Sequence, residues 1–302
     1  MAKAVYVGVN SKARKMKKAY IGIGGKARKV KKMYIGVGGK ARLCYSAELE
    51  RYGMAAALST ARYDMRAATV GKYALFAGGL APNPFFGENA SSSVDAYNTS
   101  LTKSTPTELS CKRCGHAAAS VGGYALFAGG ASSYNFLGYG NILSSVDAYD
   151  ASLTRSAAHI IGATVAIGGA AVGNYALFAG GTVYSQINKD NVTSDVLAYD
   201  PSLTFTTAPL LSVARANVKG ASAGNYALFA GGRAGSFCTT VDAYNASLTR
   251  TTATALSSTK NNSAAATVGN HAIFVGNTAS ADIYDASLTK TSAAILSTAR
   301  TG

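Results

Sequence analysis

The residues Tyr73-Ala74-Leu75-Phe76-Ala77-Gly78-Gly79 carry the strongest structural signal in this chain, because the chain repeats them. The same seven residues return at 124–130, 175–181 and 226–232, and a diverged copy, HAIFVGN, occupies 271–277. Successive copies start 51, 51, 51 and 45 residues apart. A period of this length is typical of repeat architectures, in which each unit buries its apolar surface against its neighbours.

The repeated segment predicts a β-strand that is buried on both faces. Side chains alternate along a strand, which places Tyr73, Leu75 and Ala77 on one face and Ala74 and Phe76 on the other. Neither set is polar. The glycine pair that follows permits positive φ angles, so the chain can leave the strand in a tight turn.

Each long unit contains four segments with strand character. A small-residue segment such as 67–71 precedes the tyrosine strand, and a loop leads from the glycine pair to a third strand. The third strands are 94–97, 146–149, 196–199, 241–244 and 281–284. Each of them ends in a tyrosine that is followed by an Asn or Asp turn and by Ser-Leu-Thr. Four strands in a unit of this length predict one propeller blade per unit.

The units resemble kelch repeats over residues 43–302. The shared features are a glycine pair after an apolar strand, a tyrosine followed by Asp or Asn, and an arginine at the start of the next unit. These starting residues are Arg62, Arg113, Arg215 and Arg300, with Lys260 in the equivalent place of one unit. The resemblance implies an all-β, kelch-like β-propeller of four-stranded antiparallel blades.

The blade count depends on how the residues before the first complete unit are used. Five units are complete, and residues 43–57 match the outer half of another, since Tyr45 and Leu49 correspond to Tyr97 and Leu101. If the preceding basic segment supplies the missing inner half, the propeller has six blades, which is the count we expect. If that segment forms a separate module, the propeller has five.

Residues 1–42 contain a second, shorter repeat and most of the charge. Tyr6, Tyr20 and Tyr34 are 14 residues apart, each in a strand-like run that precedes a turn and a lysine-rich segment. Ten Lys and three Arg without any acid give this segment +13 of the chain's net charge of +15. We therefore predict a basic β-meander at 1–42 ahead of a propeller at 43–302.

Composition leaves three interpretations of these lysines open. They can protect solvated strand edges, bind nucleic acid or another anionic surface, or attach the chain to an acidic protein. The run YIGIGGKAR at 20–28, followed by KVKK, resembles segments of tail and tail-fibre proteins of phages and prophages of Gram-positive bacteria. This resemblance implies a virion tail protein that contacts other virion proteins through residues 1–42, with nucleic acid not expected as a partner. The six-residue apolar run at 4–9 is too short for a signal peptide, and no membrane span is expected.

The loops after the glycine pairs are the predicted binding surface. They have 14, 15 and 14 residues in the first three units, but eight and three in the last two. Long loops in a compact repeat usually need a functional reason. In a four-stranded blade these loops share a face with the connections between blades. The candidate ligand-binding residues on that face are Phe86, Tyr134, Phe136, Tyr139, Tyr184, Arg62, Arg113, Arg215, Lys260 and Arg300. An architectural role of the arginines between blades stays open as well.

Signals for catalysis or metal binding are weak. His116, His159 and His271 occupy unrelated positions in the repeat, and the CxxC pair Cys111 and Cys114 has no second pair to complete a zinc site. No catalytic residue, metal or cofactor is therefore expected. The predicted function is non-enzymatic binding of a cell-surface glycan or anionic polymer. The alternative functions are a carbohydrate-active enzyme and an intracellular scaffold for protein partners. The sequence leaves open whether the protein forms a homo-oligomer.

Overall fold

The computed structural model describes residues 55–294 except 84–86, 136–137, 160, 184–190, 260–263 and 277–279, together with six strands between residues 6 and 46. All regular elements among these residues are β-strands. The chain separates into two compact units, Met1–Ala56 and Ala57–Gly302. The expected boundary after residue 42 falls within a strand of the first unit that continues to Ser46.

Each 14-residue repeat of the first unit forms one antiparallel hairpin, and the described strands are not joined into the single meander sheet that we expected. The strands are β1 (Tyr6–Val9), β2 (Lys12–Lys15), β3 (Tyr20–Ile23), β4 (Lys26–Lys29), β5 (Lys32–Val37) and β6 (Lys40–Ser46). They pair as three two-stranded sheets, β1 with β2, β3 with β4 and β5 with β6. Equivalent residues have equivalent partners, since Tyr6 lies opposite Lys15 and Tyr20 lies opposite Lys29.

The second unit contains five blades, each a four-stranded antiparallel sheet formed by one long repeat. Blade one consists of β7 (Arg66–Val70), β8 (Tyr73–Ala77), β11 (Val94–Asn98) and β12 (Lys103–Ser104). Blade two consists of β13 (Ala117–Val121), β14 (Tyr124–Ala128), β17 (Val146–Tyr149) and β18 (Arg155–Ala157). Blade three consists of β19 (Gly168–Val172), β20 (Tyr175–Ala179), β21 (Val196–Tyr199) and β22 (Phe205–Thr207).

The last two blades repeat the same order. Blade four consists of β23 (Lys219–Ala223), β24 (Tyr226–Ala230), β27 (Val241–Asn245) and β28 (Arg250–Ala253). Blade five consists of β29 (Ala264–Val268), β30 (His271–Val275), β31 (Ser280–Tyr284) and β32 (Lys290–Ala294). Six further strands of the second unit lie outside the blades: β9 (Leu80–Asn83), β10 (Gly87–Ala90), β15 (Ala131–Asn135), β16 (Gly138–Ile142), β25 (Arg233–Ala234) and β26 (Ser236–Phe237).

The predicted all-β propeller of four-stranded antiparallel blades is confirmed, and the blade count is five. The preferred count of six is wrong. Residues 43–46, which were expected to begin the outer half of another blade, belong to β6, and β6 pairs with β5 in a two-stranded sheet. A blade needs four paired strands, and this hairpin has two. Residues 47–54 lie outside the described part of the chain.

The apolar core lies between successive blades. Leu75 and Ala77 of blade one pack in one cluster with Phe127 and Tyr149 of blade two. Equivalent clusters join blades two and three, three and four, and four and five. Leu126 and Phe127 are adjacent in β14 and point to opposite faces, yet both are fully buried. The prediction of a strand buried on both faces is therefore confirmed for blades two, three and four, each of which packs against a neighbour on either side.

In blades two to five, the tyrosine at the end of the third strand links its blade to the previous one. The Tyr149 hydroxyl donates to the carbonyl oxygen of Thr107 at 2.8 Å, and the Tyr244 hydroxyl donates to that of Pro209 at 2.8 Å. Tyr199 and Tyr284 make the same kind of bond. Burial raises the pKa of all four of these phenols. They remain protonated hydrogen-bond donors at the pH at which exposed tyrosines ionise.

The Ser-Leu-Thr turns place a leucine in a strained backbone conformation. Asp150 begins one such turn, and its Oδ1 accepts from the backbone N–H groups of Ser152 and Thr154 at 2.9 Å. Leu153, between them, has a φ angle of +65°, a left-handed conformation that is costly for a side chain with a Cβ atom. Its side chain packs against the cluster between blades one and two, and this packing offsets the strain.

Candidate functional site

The long segments after the first two glycine pairs form β-hairpins rather than irregular loops. β9 pairs with β10, and β15 pairs with β16. The two hairpins meet through β10 and β15, where Glu88 lies opposite Tyr134. Together they form a four-stranded sheet in the order β16-β15-β10-β9, which we call the crown sheet. Pro82 is tolerated in β9 because this strand is at the edge of the sheet.

The segments after the next two glycine pairs also begin with antiparallel pairing. In blade three, Thr182 pairs with Val192, and the Val183 amide donates to the Asn191 carbonyl at 2.9 Å. In blade four, β25 and β26 pair around Gly235, which has a φ angle of +75°. The largest sheet formed by these segments among the described residues belongs to blades one and two.

Each hairpin is fixed at its base by the segment that leads into a blade. The pairs are Tyr63 with Leu80, Cys114 with Ala131, Val165 with Thr182, and Ala216 with Arg233. The glycine pair makes this approach possible: a Cβ atom on Gly129 would lie 2.5 Å from the carbonyl oxygen of Thr164. The hairpins and the connections between blades consequently share one face of the propeller, as the strand order predicted. We call it the loop face.

The predicted arginines lie at this face, but their side chains point inward. Arg113 is fully buried and donates to Asp147 at 2.7 Å and to the carbonyl oxygens of Gly129 and Ser145 at 2.9 Å. Arg215 and Arg62 form the same ion pair with the aspartate of their own blades at 2.8 Å. The three guanidinium groups therefore stabilise the bases of the hairpins. They are not exposed on the described surface, where a ligand would bind.

The partner of each arginine is the aspartate of the Val-Asp-Ala-Tyr strand, a pairing that our sequence analysis missed. The carboxylate of Asp147 also receives Arg155 at 3.0 Å, and that of Asp242 receives Arg250 at 2.9 Å. Blade three carries neither member of the pair, because Thr164 stands in the arginine position and Leu197 in the aspartate position. Loss of both charges together avoids a buried, uncompensated ion. This joint replacement was visible in the sequence and indicates a structural pair.

The described aromatic candidate, Tyr134, is on the surface. It lies in β15 of the crown sheet and is 37% exposed. Tyr139 is its cross-strand neighbour in β16, although its side chain is outside the described set. The candidates Phe86, Phe136, Tyr184, Lys260 and Arg300 also lie outside the described residues. Their predicted role stays a prediction.

Exposed apolar side chains are concentrated on the loop face. The large exposed residues of the described chain that lie there are Tyr63, Tyr134, Val183, Leu210, Val213 and Phe237. Only Leu101, in a turn, and Val268, the last residue of β29, lie at the opposite face. Clustered exposed apolar side chains mark interaction surfaces more often than isolated ones do. Two exposed cations, Lys112 and Arg233, accompany them.

The histidines gave weak signals for catalysis in the sequence, and the structure shows where two of them lie. His116 is fully buried, and burial, followed by Arg66 and Arg113, lowers its pKa. His159 is exposed and packs on Phe205 with ring centroids 4.8 Å apart. Among the described residues, no three His, Cys, Asp or Glu side chains are grouped in a way that could hold a metal ion. In the same residues, no helix has the length and apolar character for crossing a membrane.

The comparisons with known proteins concern the fold. No family model and no curated protein sequence matches this chain. A solved structure titled "Structure of YjhT" is similar over 91% of this chain and 94% of that chain, with a TM-score of 0.62 and 15% sequence identity. Because one fold hosts many functions, a likeness at this level of identity carries the architecture and nothing further.

Proposed function

We propose that this protein is a non-enzymatic binding protein that recognises a cell-surface glycan or anionic polymer through its loop face. The observation that carries the proposal is the crown sheet. Two neighbouring blades extend their connections into one continuous four-stranded surface that no blade needs for its own pairing. Such an extension on a repeat scaffold is where binding residues are typically placed.

The chemistry of the loop face suits a polyhydroxylated, anionic polymer. Tyr134 and Phe237, 37% and 42% exposed, offer aromatic rings that can stack on the apolar faces of sugars. Lys112 and Arg233 supply positive charge for phosphate or carboxylate groups. We therefore propose Lys112 and Arg233, in place of the buried arginines, as the side chains that bind the anionic groups of the polymer.

We further propose that the propeller is of the kelch type and is carried on a phage or prophage tail. The double-glycine strands and the arginines at the starts of the units support the first point. The tandem basic hairpins of the first unit support the second, because a segment of charge +13 suits attachment to an acidic virion protein. The propeller then faces the host surface outside the cell.

A binding assay on whole Gram-positive cells and on a glycan array tests the loop face. The double variant Tyr134→Ser and Phe237→Ser removes two exposed rings, and we expect binding to fall at least about tenfold, since each stacked ring contributes of order 1 kcal/mol. The matched control is Leu101→Ser with Val268→Ser, which removes comparable apolar area from the opposite face. Equal binding by both variants would contradict the proposal.

Two further measurements separate the remaining alternatives. Release of new reducing ends from a bound polymer would show turnover and favour a carbohydrate-active enzyme. Replacing Lys12, Lys26 and Lys40 by Gln should lower incorporation into tail particles while cell binding by the free protein is retained. A protein that enters particles equally well after this change is not attached through its basic hairpins.

A further inference from the structure

The first strands of the five blades line a common, open channel. β7, β13, β19, β23 and β29 all contribute to its wall, and the cavity between them has a volume of about 640 Å³. Most lining side chains are Ala, Gly, Ser or Thr, so the wall is largely backbone. A cavity of this size matches ligand sites for small molecules, which range over about 300–1,000 Å³.

Two blades place a cation at the same end of this channel. Arg66 lies opposite Ala77 in blade one, and Lys219 lies opposite Ala230 in blade four. Ala77 and Ala230 are the last residues before their glycine pairs, so both cations are at the mouth that opens on the loop face. Blades two, three and five have Ala, Gly and Ala in this position.

The two cations are not equivalent in their partners. Arg66 is paired with Asp64 at 2.7 Å, and the other oxygen of Asp64 accepts from the Gly115 amide at 3.2 Å. The Lys219 ammonium group has no hydrogen-bond acceptor among the described residues. The remaining lining side chains of the described strands are uncharged. The mouth therefore carries two positive charges and one carboxylate, with one ammonium group available for a ligand.

The electrostatics of Lys219 reflect this position. Its pKa falls to about 8, mainly because burial disfavours the charged form, and the charge of Arg66 lowers it further. Asp64 acts in the opposite direction. Since Arg66 and Asp64 belong to blade one and Lys219 to blade four, these groups interact across the channel. An anion placed between them would relieve the repulsion between the cations.

We infer that the loop-face mouth of the channel binds a small anionic ligand of sugar size, whose carboxylate or phosphate group is held by Lys219 and Arg66. This site is distinct from the crown sheet and does not depend on the proposed recognition of a polymer. Charge-assisted hydrogen bonds to an oxyanion are roughly twice as strong as neutral ones. The small lining residues leave room for an uncharged ring deeper in the channel.

Calorimetric titration of the full-length protein tests the site with three probes: glucuronate, glucose 6-phosphate and glucose. We expect one or both anions to bind and glucose to bind at least tenfold more weakly. Lys219→Gln should weaken anion binding about tenfold or more, whereas Lys219→Arg should retain most of it. Lys72→Gln is the matched control, because Lys72 is an exposed lysine in the turn after β7 on the opposite face. Binding should also weaken as the pH rises through about 8, where Lys219 loses its proton.

Several outcomes would overturn the inference. One is that neither anion binds the folded wild type at millimolar concentration. Another is that glucose binds as well as the anions do, or that Lys219→Gln matches the wild type while its thermal unfolding is unchanged. Tyr134→Ser should leave anion binding in the channel intact. That variant separates a failure of this site from a failure of the loop-face proposal.

Discussion

Replacing Asp242 by Ala should destabilise the propeller more than any change to an exposed charge. Asp242 is fully buried and accepts from Arg215 at 2.8 Å, from Arg250 at 2.9 Å and from the Ser212 hydroxyl at 3.1 Å. Its removal leaves the buried Arg215 without a counter-charge, a change that costs about 3–5 kcal/mol. For a domain of this size, 1 kcal/mol corresponds to roughly 2–4 °C in Tm, so Tm should fall by roughly 6–20 °C.

Urea unfolding of the full chain, followed by far-ultraviolet circular dichroism, measures this loss. Arg250→Gln is the internal control, because it removes the other cation of the same carboxylate. The Arg250 side chain is 31% exposed, and its loss should cost less than about 1 kcal/mol. Comparing the two variants therefore separates the effect of leaving a buried charge unpaired from the effect of losing a partly exposed charge.

A double variant distinguishes a lost ion pair from general damage. Arg215→Thr combined with Asp242→Leu reproduces the residues that blade three carries at Thr164 and Leu197. We expect this variant to be more stable than either single variant, since neither charge is then left buried alone. An Asp242→Ala cost below about 1 kcal/mol, or a double variant as unstable as the sum of the single ones, would refute the reasoning.

Three further predictions concern the turns and the buried tyrosines. Gly129→Ala should lower the free energy of unfolding by more than about 2 kcal/mol, because φ is +65° and the new Cβ atom would meet a backbone oxygen. The control is Gly123→Ala, where a Cβ atom would have no atom within 4 Å. In the same urea assay it should be neutral or stabilising by up to about 1 kcal/mol. Leu101→Asn should stabilise the propeller by up to about 1 kcal/mol, because Leu101 has a φ of +59° and is exposed. Leu153→Asn should destabilise it by at least about 1 kcal/mol, because Leu153 packs between blades. The buried tyrosines of blades two to five have a raised pKa in the folded protein, so unfolding releases their protons and stability should fall as the pH rises above about 10. Tyrosinate absorbance should show these phenols ionising only as the chain unfolds, and their ionisation in the folded state would contradict this.

Much of the blade was predictable because its signals are local and repeated. The alternation in Tyr73-Ala74-Leu75-Phe76-Ala77 predicted a strand buried on both faces, and the glycine pair predicted positive φ angles, which are +63° at Gly78 and +97° at Gly79. Side-chain alternation and backbone freedom are properties of the residues themselves. Five copies of the same signal made the blade architecture clear.

The crown sheet was not predictable in the same way. It depends on the pairing of β10 with β15, two strands in the connections of different blades that meet only when those blades are adjacent. Pro82 and the glycines of these segments favoured loops, and tertiary pairing overrode that preference. The sequence therefore predicted the face that carries these segments, but it did not predict that they form a sheet.

The amino-acid sequence was sufficient for the repeat, the strand order and the face on which the connections lie, because each follows from periodicity within a single unit. Folding of the whole chain decided the blade count, the pairing of the two hairpins and the inward direction of Arg62, Arg113 and Arg215. These features involve groups far apart in the sequence, and their geometry exists only after the blades have packed. A buried arginine and an exposed one are the same residue in a sequence, and the position of the opposing carboxylate distinguishes them.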